Sequence, residues 1–206
     1  MILIIERGSN CFEFGTERDY KLLPDDLFIT PEILANAEVV MLIDPQFHQL
    51  IDVRRTKFQS KNIFVALHEK SSSEVRRCAE LYGFGILNFS SESERDFIRS
   101  ILTVFHVRIS FGADGNDFRK MTAGVGSVEY YHVMLPILDK EIAKIKNMRN
   151  ITSILTTLFY DELYSFDEIE RISVQLKECY STTNIVSVLT ERDELPVSLG
   201  LFLLVK

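Results

Sequence analysis

The chain has 206 residues, of which 46% are apolar and 26% charged, with only 9 Gly and 5 Pro. That composition excludes collagenous, low-complexity and disordered classes, and the length suits one ordinary domain or two small ones. Thirty acids against 23 bases leave a net charge of −7, which argues against a generic binder of a phosphate backbone.

Mean hydropathy is close to neutral at +0.06. No apolar run approaches the ~20 residues needed to span a bilayer, and Met1–Glu6 is too short and wrongly flanked for a signal peptide. Cys11, Cys78 and Cys179 are far apart and form no C-x-x-C pair. A reducing cytoplasm is the expected setting.

The first apolar run, Met1–Ile5, breaks at Gly8-Ser9-Asn10 and resumes as Cys11-Phe12-Glu13-Phe14, which predicts a β-hairpin. Thr30-Pro31-Glu32 has the form of an N-cap followed by Pro at the first helical position, opening a short helix to about Ala35. Glu38–Ile43 is apolar nearly throughout, as a strand covered on both faces must be. Asp44-Pro45 ends it, and Phe47, Leu50, Ile51 and Phe58 then recur at helical spacing to about Gln59. A second buried strand, Ile63–Leu67, follows. Ser71-Ser72-Ser73-Glu74 reads as a capping box whose helix turns Val75, Cys78, Ala79 and Tyr82 inward and stops at Gly83.

Gly85–Phe89 is a third strand, and Ser91-Glu92-Ser93-Glu94 a second capping box. Its helix carries Phe97, Ile98, Ile101, Leu102 and Phe105 on the inward face. Strand and helix alternating three times with short loops predict a mostly parallel sheet. Phe111–Asp117 is rich in turn residues and marks the candidate boundary. Beyond it Val128–Met134 reads as a strand, and Pro136 starts a helix with Ile137, Leu138, Ile142 and Ile145 on one side. Ile151–Leu158 is strand-like. Ser165–Glu168 caps a helix striped by Ile169, Ile172, Leu176 and Cys179, and Asn184–Leu189 and Val197–Val205 close the chain as strands. The expected architecture is an α/β N-terminal unit with a mostly parallel sheet, Rossmann-like or receiver-like, over 1–111. An α+β C-terminal domain over 112–206 follows it.

The chemistry carried by motifs is sparse. His48, His68, His106 and His132 lack the short regular spacing of metal ligands, so no metal is expected. The glycine pairs Gly83/Gly85, Gly112/Gly115 and Gly124/Gly126 match neither phosphate-cradling motif. Gly124–Ser127 precedes a strand rather than a helix. Asp44 ends a buried strand, where a receiver carries its phospho-acceptor. That chemistry also needs an acidic pair after the first strand and a Lys after a later one. Glu6 is a lone acid there, and Asn88-Phe89-Ser90 stands where the Lys should be. Turn chemistry accounts for Asp44-Pro45 without phosphorylation. Cys78 and Cys179 fall on buried helical stripes and read as core residues. The acids Asp161, Glu162, Asp167, Glu168 and Glu170 suit a helix N-terminus, while Lys140, Lys144 and Lys146 read as a solvated face.

Ile151–Leu158, the helix opened by Ser165-Phe166-Asp167-Glu168-Ile169, then Asn184–Leu189 and Val197–Val205, resemble the C-terminal domain of the FtsZ/tubulin superfamily. The helix Ser93–Phe105, the loop Gly112–Arg119 and the segment Met121–Ser127 look like that family's central helix, its synergy loop and the strand after it. In the family, acids of this loop enter the next subunit's nucleotide site, and Asp114 and Asp117 stand nearest those positions. Their spacing does not match, so no catalytic role carries over. The family's Gly-rich phosphate loop is absent. A β-α-β-β unit also arises in unrelated folds, which leaves an unrelated α+β module open.

The resemblance implies self-association or binding to a filament-forming partner, while the missing phosphate loop and reactive clusters point to a non-catalytic interaction protein with no cofactor, and the net charge to no nucleic acid. Its contacts would centre on the loop carrying Asp114, Asn116 and Asp117. The alternative is a regulatory module sensing a phosphate or small ligand near Asp44 and His68, at the C-terminal ends of the parallel strands. An enzyme assembled from Asp44, His68 and Asp114 is the third reading.

Overall fold

The computed structural model describes residues 2–6, 20–23, 28–35, 37–56, 58, 62–105, 115–122, 126–134, 140, 150–160, 166–179, 184–191 and 198–205. Nine strands among them form one sheet. In chain order they are β1 (Ile2–Glu6), β2 (Tyr20–Leu23), β3 (Val39–Ile43), β4 (Ile63–Leu67), β5 (Gly85–Asn88), β6 (Ser127–Met134), β7 (Ile151–Tyr160), β8 (Asn184–Glu191) and β9 (Ser198–Val205). The sheet order is β2-β1-β3-β4-β5-β6-β9-β7-β8. Every pairing from β2 through β6 is parallel. β9 then runs antiparallel to both β6 and β7, and β8 lies parallel to β7. The expected parallel α/β unit is therefore present, and its sheet continues into the second half through β5 and β6.

Six helices are described: α1 (Pro31–Leu34), α2 (Phe47–Arg55), α3 (Ser73–Tyr82), α4 (Glu94–Phe105), α5 (Gly115–Thr122) and α6 (Phe166–Cys179). Side-chain alternation along the strands sorts the core into two faces. Val40, Leu42, Ile63, Val65 and Leu67 point to the side covered by Leu50 and Val53 of α2 and by Val75, Cys78 and Ala79 of α3. Val39, Met41, Ile43, Phe64 and Ala66 point to the opposite side, where Phe97, Ile98 and Ile101 of α4 and Phe118 of α5 meet them. Both faces of β3 and β4 are dry, which is why their sequences are unbroken apolar runs. β9 repeats the pattern: Phe202 and Leu204 join the α4 side, while Leu199, Leu201 and Leu203 pack with Ile172 and Leu176 of α6.

α4 binds the two halves together. Phe97, Ile98, Ile101 and Val104 are fully buried, each worth about 1.5–3 kcal/mol against exposure. The Phe97 ring lies 4.7 Å from Phe89 of the first half, 5.3 Å from Tyr130 on β6 and 6.3 Å from Phe202 on β9.

Several local expectations are corrected. β1 forms no hairpin, because parallel β2 and β3 occupy its two edges; residues 11–14 lie outside the described residues. α2 stops at Arg55, where Thr56 closes it by donating its N–H to Asp52 and Val53 carbonyls. Ser72 rather than Ser71 caps α3, its Oγ accepting from the Glu74 N–H. Ser90 rather than Ser91 caps the α4 region through a 3₁₀ turn, Ser91–Ser93, its Oγ accepting from the Glu92 N–H. The expected loop at Gly112–Arg119 is helical from Gly115 onward, anchored by Phe118 against Phe64 and Phe105. The helix expected after Pro136 lies outside the described residues apart from Lys140. Gly83 ends α3 as expected, in the left-handed conformation (φ 68°) that glycine adopts without a Cβ penalty.

Candidate functional site

The parallel strands bring a polar edge together at their C-terminal ends. β3 ends at Asp44, whose backbone adopts a left-handed φ of 41°, a conformation Asp tolerates better than most residues. Its N–H donates to the Ala66 carbonyl at 2.8 Å, clamping the turn to β4. One carboxylate oxygen, Oδ1, accepts from Ser71 Oγ at 2.8 Å, and Oδ2 lies 3.3 Å from His68 Nε2. His68 Nδ1 accepts from the Lys70 N–H at 3.0 Å. That leaves Nε2 as the protonated nitrogen facing the carboxylate. Ser71 Oγ also accepts from the His68 N–H at 2.9 Å. The expected pair Asp44 and His68 is thus in contact, and Ser71 completes it. This is not a nucleophilic triad, because the serine donates to the carboxylate rather than to the imidazole.

The neighbouring loops are tied in the same way. Glu69 accepts from Ser91, from its N–H at 3.1 Å and from its hydroxyl. The Ser91 hydroxyl is the main reason that its carboxyl is held at about 2, helped by the backbone N–H groups around it. Glu94 is shifted upward, first by burial and then by the charge on Asp44, although His68 opposes the shift. At the far side His132 Nδ1 stands 3.1 Å from Asp96 Oδ2, and Arg99 lies 3.3 Å from Oδ1. The hydrogen bond from His132 is the main cause of Asp96's lowered pKa.

A cleft of about 600 Å³ opens at the C-terminal ends of β4 and β5, beside Glu129–His132 in the middle of β6, within the size range of small-molecule sites. His68, Glu69 and Leu67 form one wall, Phe89 and Tyr131 contribute aromatic surface, and Arg76, Asn88 and Glu129 cross it. Arg76 Nη2 donates to Asn88 Oδ1 at 2.8 Å, and Asn88 Nδ2 donates to Glu129 Oε1 at 2.6 Å. Burial, with the nearby Glu129 charge second, raises the Tyr131 pKa.

Asn116 and Asp117 lie on α5; their side chains, and Asp114 as a whole, fall outside the described residues. Arg76, Asn88, Glu129 and Tyr131 carried no motif. The one signal for them was general, that open parallel sheets bind ligands beyond their strand C-termini. Among the described residues no group of His, Cys, Asp and Glu could hold a metal ion. No described helix is long and apolar enough to cross a membrane.

No protein-family model matches the sequence, and no curated protein matches it. Solved structures do share the fold. A point mutant of FtsZ from M. jannaschii superposes with TM-score 0.64 at 10% identity, over 93% of this chain and 79% of that one. An empty FtsZ dimer from M. jannaschii gives TM-score 0.60 at 8% identity, covering 85% and 65%. CetZ from Methanosaeta thermophila strain DSM 6194 gives 0.53 at 10% identity, covering 94% and 73%. The chain thus has the fold of the FtsZ and CetZ proteins, of which it spans between 65% and 79% of the length.

Proposed function

We propose that this chain is a non-catalytic protein of the FtsZ/tubulin fold that works in a reducing cytoplasm by contact, either with further copies of itself or with a filament-forming partner. The observation that carries the reading is the state of the loops after β3, β4 and β5, where a parallel α/β sheet would cradle a phosphate. Pro45 has no N–H to offer, and the Gln46 N–H donates to Gln49 Oε1 at 2.8 Å. The N–H groups of His68, Lys70 and Ser71 close their own turn. Those of Ser91, Glu92 and Ser93 are taken by Glu69 and Ser90. The carboxylates of Asp44 and Glu69 stand among them, so a triphosphate meets negative charge and few unused donors. The contact surface we assign is the segment bearing Asp114, Asn116 and Asp117 and the faces around it. A head-to-tail contact needs a second, different face on the neighbour.

Sedimentation velocity over a range of concentrations, with pull-down against filament-forming proteins of the same cell, tests the reading. Concentration-dependent association or a filament partner supports it. A strict monomer with no such partner overturns it.

One observation favours a second reading. The first five strands have the order 2-1-3-4-5, an arrangement that places ligands at the switch between the first and third strands. Asp44 ends that third strand. A regulatory module sensing an acyl phosphate or nucleotide there would show thermal stabilisation by acetyl phosphate that disappears in Asp44→Ala. An unchanged melting temperature with every such ligand removes this reading.

A further inference from the structure

We infer that the cleft at the ends of β4 and β5, beside the middle of β6, binds a small zwitterion, an α-amino acid or a free dipeptide, with its carboxylate on Arg76 and its ammonium on Glu129.

The two charges sit in one cleft yet do not pair with each other. Asn88 stands between them, its Oδ1 accepting from Arg76 and its Nδ2 donating to Glu129. Both ends of that amide are used, so its orientation is fixed by the network. Among the described residues neither Arg76 nor Glu129 has an ion-pair partner. Among the described residues the Arg76 side chain donates one hydrogen bond, through Nη2. Glu129 accepts from Asn88 and, at 3.3 Å, from Ser127, both at Oε1, which leaves Oε2 without a partner among the described residues. Both side chains are half-buried, and half-buried charges of opposite sign that are held apart are incompletely compensated.

A ligand that carries both complementary charges completes the two at once. A guanidinium suits a carboxylate through paired N–H donors, and a carboxylate oxygen suits an ammonium. The strands make the spacing rigid, since Asn88 and Glu129 are directly paired across β5 and β6. The volume of about 600 Å³ leaves room for a side chain beyond the two charged groups, and Phe89 and Tyr131 give it apolar surface. No described residue of α5 lines the cleft, and the inference does not rest on self-association.

The test is a thermal-shift screen of the full chain against the standard L-amino acids and glycylglycine, followed by calorimetric titration of those that raise the melting temperature. N-acetyl and methyl-ester forms of each hit, which remove one charge apiece, serve as the comparison on the unaltered protein. At least one zwitterion is expected to bind. Loss of either charge on the ligand should weaken it at least about tenfold, as should Arg76→Gln or Glu129→Gln. Circular dichroism of the two variants separates lost binding from lost folding, and the ligand analogues need no variant. No binding by any zwitterion, or equal binding by the single-charge analogues, overturns the inference.

Discussion

Replacing Gly200 by alanine puts a methyl group where hydroxyls already crowd. Gly200 on β9 faces His132 on β6 and Thr157 on β7 in the strand register. A Cβ there would overlap Ser100 Oγ and Thr157 Oγ1 and lie 3.1 Å from the Tyr130 hydroxyl. Ser100 and Thr157 are fully buried, so neither can swing into solvent. Overpacking of a dense core costs about 1–3 kcal/mol. Displacing Ser100 also threatens its 2.9 Å hydrogen bond with Tyr130, worth about 0.5–1.5 kcal/mol. The sum is about 1.5–4.5 kcal/mol. With a urea slope of about 2 kcal/mol per molar, the unfolding midpoint should fall by about 1–2 M. Urea titration followed by circular dichroism reads it directly. Gly126→Ala is the matched control: its nearest neighbour would be the Val205 carbonyl at an ordinary 3.5 Å, and its stability should stay within about 0.5 kcal/mol of the parent. Ser100→Ala combined with Gly200→Ala should recover part of the loss. A Gly200→Ala protein as stable as the Gly126→Ala control refutes the packing argument.

Three further outcomes follow from the same contacts. Thr157 Oγ1 is buried with no hydrogen-bond partner among the described residues, so Thr157→Val should be neutral or stabilising by up to about 1 kcal/mol in the same urea titration; clear destabilisation would mean the hydroxyl is bonded. In Ser91→Ala the Glu69 carboxyl, held at about 2, should climb toward 4.5, as read by NMR titration of its carboxyl carbon; an unmoved value would assign the shift to the backbone N–H groups instead. Asp96 is depressed by His132, so its contribution is complete above the unfolded value of about 3.9 and is lost as pH falls through the lower folded value. Thermal melts from neutral to acid pH should therefore show a shallower acid loss for Asp96→Asn, and identical acid limbs would sink that assignment.

The legible parts of the fold are those where burial leaves a pattern. Val39–Ile43 and Ile63–Leu67 are covered on both faces, so every residue is apolar and the strands stand out. The Phe97/Ile98/Ile101 face of α4 has the helical period because it packs on one surface. Strand partners left no such trace. β1 is apolar whether it forms a hairpin or a parallel pair, and β2 lies beyond an intervening segment. The caps were misplaced by one residue because consecutive serines compete. Ser71 is drawn to Asp44, 27 positions away in the chain, which leaves Ser72 to cap α3. α5 opens with Gly115-Asn116-Asp117, residues that favour turns, and is held as a helix by the tertiary packing of Phe118.

The site divides along the same line. Asp44 and His68 follow immediately upon apolar runs, so a general rule about strand ends finds them. Arg76, Asn88 and Glu129 come from α3, β5 and β6, and meet only because β6 joins β5 after an intervening helix pair. Glu129 alternates with Val128 and Tyr130 on its strand, the ordinary look of a partly solvated position. No local spacing could announce that cluster.

Guanine nucleotide occupancy and turnover of the purified full chain bear most directly on the claim that the loops after β3, β4 and β5 are closed to phosphate. Chromatography of the heat-released fraction, followed by phosphate-release measurement with GTP and magnesium, should find no bound nucleotide and no hydrolysis above buffer, with self-association unchanged by GTP. Stoichiometric GTP or GDP in the released fraction, or assembly that requires GTP, would contradict the account.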